Sequence, residues 1–324
     1  MHAFLLVLFA SVVAQEHGQI RFLPTAAEAN VPERFRLEAS TFAFEREELR
    51  TTPGYSVSAL RFPSPIVTPD PVNNTVHAEY FLPKGEGKRP AVVVLHILGA
   101  DFALSRYLAA RLADRGVAAL FVKLPYYGER RPLDGSKRFL SVDIERSMSS
   151  MRQGVCDVRR ASTWLASRPE VDPRRLGVAG ISLGGIVASL AASVDPNLSQ
   201  AALILAGGDL AEILWTMPEA KGYRALWTAQ GKTKADLAKL TEPFDPLRYA
   251  DRLKAKRVMM IAGNVDEVVP PSSARALWNA AGQPPIYWYD CGHYSAAGFL
   301  LPAVRETVEF FASEPPDLGI KQKL

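Results

Sequence analysis

The chain has 324 residues, 48% of them hydrophobic and 22% charged, a composition that suits one large α/β domain or two small ones around a sizeable core. Its net charge of +4 is scattered in short pairs such as Arg130-Arg131, Arg159-Arg160 and Arg174-Arg175, too dispersed for a nucleic-acid-binding stripe. Two cysteines, Cys156 and Cys291, exclude a disulfide framework and a cysteine-based metal centre, and are expected to remain unbonded.

Residues 4–14 are almost all apolar but too few to cross a bilayer. They fit the hydrophobic part of a secretory signal over residues 1–14, with cleavage after Val12-Val13-Ala14 and a secreted or periplasmic destination. The leading Met1-His2-Ala3 carries no Lys or Arg, and a buried N-terminal strand is the alternative. No later run suits a membrane span, so stable membrane insertion is not expected.

Residues 15–54 are charged and loosely patterned and read as a peripheral segment. Residues 55–62 and 75–82 then alternate at period two, linked by prolines and the turn-rich 70–74, as an antiparallel pair at a sheet edge. Residues 91–95 are a β-branched run typical of a strand buried on both faces. Helical text over 105–115 stops at Gly116, and a second buried strand follows over 117–124. Between about 142 and 166, Ile144, Met148, Met151, Val155, Val158, Ala161 and Leu165 recur at helical spacing. Later strands are expected at 175–179, 201–206, 257–262 and 286–289, with helices over 272–281 and 302–312. This alternation implies a mostly parallel sheet with helices on both faces. About fifty residues at 207–256 exceed a single crossover and read as a small helical cap insertion, and 313–324 read as a C-terminal tail.

The chemistry centres on Gly180-Ile181-Ser182-Leu183-Gly184. It lies between a short strand and a helix rich in small residues, the context of a strained strand-to-helix turn that lifts a serine hydroxyl above the sheet. The helix aims its N-terminal N–H groups at charge developing there. Serine needs a base. Of five histidines, His293 follows the last strand and emerges on the same rim as Ser182, whereas His96 ends a buried strand and reads as structural. Asp266 follows the strand at 257–262 and is the expected acid, with Glu267 a rival and Asp209 a less favoured substitute. The order Ser182, Asp266, His293 is the one such turns use. The oxyanion donors are expected to be the backbone N–H of Leu183 and of Ile97, with Leu98 in reserve. Tyr126, Tyr127, Trp215 and Trp227 are candidate substrate-binding residues that would narrow the pocket toward short acyl groups.

These residues resemble the α/β-hydrolase superfamily, through His96-Ile97-Leu98-Gly99, residues 180–185, residues 263–270 and Gly292-His293. Val171-Asp172-Pro173-Arg174-Arg175-Leu176-Gly177 is similar to the esterase and dienelactone-hydrolase-like branches. The resemblance covers roughly residues 55–312 and implies an α/β-hydrolase fold and a carboxylic-ester hydrolase, which the apolar leader would make a secreted one. Its expected partner is a small-molecule or polysaccharide-linked ester, with no cofactor and no metal. Dienelactone hydrolases proper carry cysteine at the turn, so Ser182 points to a serine esterase. The HGGG run of lipases is missing. A prolyl-oligopeptidase-like peptidase, a thioesterase and a non-catalytic binding protein are the competing readings, and the sequence leaves the oligomeric state open.

Overall fold

The computed structural model describes residues 15–99 and 102–314; the expected signal and residues 315–324 lie outside them. Four antiparallel strands come first: β1 (Gln15–Phe22), β2 (Ser40–Thr51), β3 (Tyr55–Pro63) and β4 (Thr75–Pro83). Six parallel strands follow: β5 (Arg89–Leu95), β6 (Ala118–Val122), β7 (Val171–Ile181), β8 (Gln200–Ile204), β9 (Arg257–Gly263) and β10 (Ile286–Tyr289). They form one sheet in the order β1-β2-β3-β4-β6-β5-β7-β8-β9-β10, joined where β4 runs antiparallel to β6.

The described residues include eight α-helices: α1 (Ala103–Asp114), α2 (Ile144–Ala166), α3 (Leu183–Val194), α4 (Leu210–Thr216), α5 (Lys221–Ala229), α6 (Lys234–Thr241), α7 (Pro271–Ala280) and α8 (Leu300–Ala312). Strand side chains alternate between the two faces. Val94, Ala179, Ile181, Ile204 and Ile261 turn to the layer of α1 and α8. Val93, Leu95, Val178, Leu203 and Met260 turn to the layer of α2, α3 and α7. Both layers are apolar, which is why the central strands read as unbroken hydrophobic runs. The helical stripe of α2 is buried as its spacing predicts, at about 1.5–3 kcal/mol for each large side chain.

Residues 15–54 correct the sequence reading: they carry β1 and β2, which widen the sheet. Ile20, Phe22, Phe42 and Phe44 are buried at period two, and Phe44 meets Trp164 of α2 edge-on, ring centroids 5.8 Å apart. The charges over 45–50 face outward or lie partly exposed and obscure that period in the sequence. The stretch between β1 and β2 is held by a buried ion pair, in which Arg159 of α2 donates to both carboxylate oxygens of Glu28 at 2.6 and 2.9 Å. Cys156 and Cys291 are both buried and free, and burial pushes the Cys156 thiol up to about 12.

Candidate active site

Four strand ends build the site. After β7 the chain turns sharply into α3 through Ser182, whose φ of 55° and ψ of −119° are a strained conformation for a side-chain-bearing residue. The Ser182 N–H donates to the carbonyl of Ile204 at 2.8 Å, tying the turn to β8. A Cβ on Gly180 would lie 2.1 Å from the Gly184 carbonyl oxygen, and one on Gly184 would lie 2.6 Å from that of His96. Both glycines are therefore required by close backbone approach.

The loops after β9 and β10 bring Asp266 and His293 to this turn. His293 Nδ1 lies 2.8 Å from Asp266 Oδ2, and Nε2 lies 2.8 Å from Ser182 Oγ. A carboxylate only accepts, so Nδ1 carries the proton and Nε2 accepts from the serine hydroxyl. Asp266 is buried, and its Oδ1 accepts the N–H groups of Val268 and Val269 at 2.9 and 2.7 Å. Its carboxylate is thus fixed before it meets the imidazole.

The rival acids have other partners. Glu267 accepts the backbone N–H of His293 at 2.8 Å, and that bond holds its carboxyl below the usual range. It positions the loop without reaching the ring. Asp209 accepts the N–H of Glu212 at 3.0 Å and caps α4.

His96 is fully buried at the end of β5. Its Nδ1 donates to the Ile97 carbonyl at 2.7 Å, and its Nε2 accepts the Leu124 N–H at 3.0 Å. Only the neutral ring satisfies both contacts, and burial lowers its pKa to about 4. His96 therefore braces the loop carrying Ile97 and Leu98, both of which line the cavity at Ser182. Leu183 begins α3 directly after Ser182, where helix N–H groups have no intrahelical acceptor.

The four aromatic candidates are not in that cavity. Tyr126 is buried, and its hydroxyl donates to Asp70 at 3.1 Å. Tyr127 packs on His96, ring centroids 4.4 Å apart, and its hydroxyl donates to the Leu98 carbonyl, so it supports the loop from behind. Trp215 and Trp227 line a separate cavity of about 330 Å³ with Leu140 and Ile144. The insertion reaches the Ser182 cavity only through Met217 and Glu219, whereas Trp215 and Trp227 face the segment leading into α2.

The cavity at Ser182 has a volume of about 810 Å³. Its aromatic lining comes instead from Tyr107, Tyr289, Tyr294 and Phe299. The sequence signal for part of it was present: Tyr289 ends the last strand and Tyr294 adjoins His293. Among the described residues, no group of three or more His, Cys, Asp or Glu is arranged to hold a metal ion. No described helix is long and apolar enough to cross a membrane.

Comparison with known proteins adds relatives on both levels. The chain is 29% identical over 215 residues to an uncharacterized protein of Mycobacterium tuberculosis, covering 63% of this chain and 50% of that protein. It is 29% identical over 150 residues to mouse acyl-coenzyme A thioesterase 3, covering 46% of this chain and 31% of that enzyme. The chain spans about half the length of the curated relatives it matches. In structure it is similar to an acetyl xylan esterase from Paenibacillus sp. R4, with a TM-score of 0.67, 22% identity, and coverage of 88% of this chain and 90% of that one. That likeness establishes the fold. The model of the dienelactone hydrolase family matches residues 76–284, which hold β5 to β9 and the Ser182 turn. By that match the chain belongs to the dienelactone hydrolase family, on the α/β-hydrolase fold.

Proposed function

We propose that the chain cleaves its esters through an acyl-enzyme on Ser182, with His293 as base and Asp266 as the acid that orients it. The observation carrying this reading is the unbroken 2.8 Å and 2.8 Å hydrogen-bond chain from Ser182 Oγ through His293 to Asp266, opening on an apolar cavity. Ser182 Oγ attacks the ester carbonyl while His293 Nε2 takes its proton. The oxyanion meets the N–H of Leu183 and of Ile97, a type of contact worth about 10²–10³ in rate per donor. His293 then protonates the departing alcohol, and water repeats the sequence on the acyl-enzyme.

The expectation of short acyl groups rested on Tyr126, Tyr127, Trp215 and Trp227; with none of them lining the Ser182 cavity, it loses that basis. Similarity to a mouse thioesterase supports a second reading, the same chemistry on a thioester. Export is proposed from the apolar residues 4–14 alone.

Ser182→Ala is expected to lower kcat on p-nitrophenyl esters by about 10³–10⁶ while the chain still folds. A fluorophosphonate should label the wild type once per chain and leave the variant untouched. Near-wild-type turnover by Ser182→Ala would refute the mechanism.

A further inference from the structure

The cavity at Ser182 penetrates the core. It runs from the sheet rim between α1 and α8, over the face from which Ile181, Ile204 and Ile261 project. Leu108 of α1 and Val304 of α8, both buried, line it at depth. On one side Ala296, Ala297 and Ala303 present only methyl groups where longer side chains would fill the space. The one charged side chain on the lining is the exposed Glu219. The recess opens to solvent past the exposed Tyr107, Tyr294 and Ala297, and its inner end is apolar and buried. An apolar recess of about 810 Å³ beside a nucleophile is therefore shaped for a ligand, and is far larger than an acetyl group requires.

Resting on the serine-hydrolase reading above, we infer that this recess holds the acyl chain of the substrate, an aliphatic chain of about six to ten carbons. The acyl side follows from the order of events. The alcohol takes its proton from His293 Nε2, beside the exposed Tyr294, and leaves while the acyl group stays bonded to Ser182 Oγ. A chain seated between Leu108 and Val304 suits the group that stays. An alcohol buried there would have to withdraw past the acyl-enzyme.

The test is kcat/KM for p-nitrophenyl esters from acetate to laurate, together with the isomers ethyl octanoate and octyl acetate, which carry the same chain on opposite sides of the ester. Each buried methylene raises kcat/KM by up to roughly fourfold. Octanoate should exceed acetate by at least about tenfold, with the maximum at six to ten carbons, and ethyl octanoate should be preferred to octyl acetate. Leu104 lines the cavity from α1 and is only half-buried, so Leu104→Trp should fold; its octanoate-to-acetate ratio should drop at least about tenfold. Fluorophosphonate titration counts the folded sites in that variant. Independently of any variant, octylboronic acid should inhibit the wild type at least about tenfold more strongly than methylboronic acid. Ser182-dependent hydrolysis that is fastest on acetate, or faster on octyl acetate than on ethyl octanoate, overturns the acyl recess alone. Absence of Ser182-dependent hydrolysis at every chain length overturns the serine mechanism, and the recess with it.

Discussion

Acid should weaken the fold through His96. In the native state its ring is neutral, donating to the Ile97 carbonyl and accepting from the Leu124 N–H. A proton on Nε2 would face that N–H donor in a site closed to water. Burial accordingly depresses its pKa from 6.5 to about 4. Between these values the unfolded chain binds more protons than the folded one, so stability rises with pH across the window and is lost on acidification. At about 1.4 kcal/mol per pH unit, the loss on moving from pH 7 to pH 4 is about 3 kcal/mol, a large fraction of a typical domain's stability. His96→Gln removes the titrating ring, so its unfolding free energy should start lower at pH 7 and fall less steeply. Urea unfolding followed by far-UV circular dichroism at pH 7, 5.5 and 4.5 measures both proteins. The gap between them should narrow by most of the 3 kcal/mol, because every other titrating group is common to the pair. Two curves falling in parallel would show that His96 is not the group under strain.

Further expectations follow from the same geometry. Asp266→Asn should lower kcat by about 10⁴ by holding His293 in the wrong tautomer, whereas Glu267→Gln, which touches only a backbone N–H, should cost far less; steady-state kinetics reversing that order would move the acid by one residue. Gly184→Ala places a Cβ 2.6 and 2.7 Å from the carbonyl oxygens of His96 and Leu95, neither a flexible side chain, and should cost at least about 2 kcal/mol in urea unfolding; an unchanged midpoint would contradict the close approach. Removing one partner of the buried Glu28–Arg159 pair should cost about 3–5 kcal/mol. Glu28→Gln, Arg159→Met and their double variant should therefore be non-additive, and simple additivity in that cycle would deny the coupling.

The residues around Ser182 were legible because their positions follow from topology. Parallel strands end on one rim, so a serine after β7, an acid after β9 and a histidine after β10 must converge. Asp266 and Glu267 are adjacent in sequence, but only the loop's conformation decides which turns inward and which reaches back to the His293 backbone. The first two strands were hard to read because five charged residues over 45–50 overlie the alternation begun by Phe42 and Phe44. The placement of Trp215 and Trp227 failed for another reason: an insertion's length is visible in sequence, but which of its side chains face Ser182 and which face residues 140–147 is not. The recess at Ser182 left no periodic signal either. It is a void between α1 and α8, and a void is defined by what two distant helices omit.

β10 is four residues long and pairs on one side only, with β9, yet the chain leaving it carries His293. Ser182 sits beside the middle of the sheet and His293 beside its margin. In the proposed mechanism, a local opening of that last strand would part His293 from Ser182 without unfolding the rest of the sheet. Asp266 and Glu267 each bind His293 from the loop after β9, one through the ring and one through the backbone. The two contacts act as a clasp on that margin, so the hydrogen bonds that would organise the proposed reaction also fasten the chain end that carries His293.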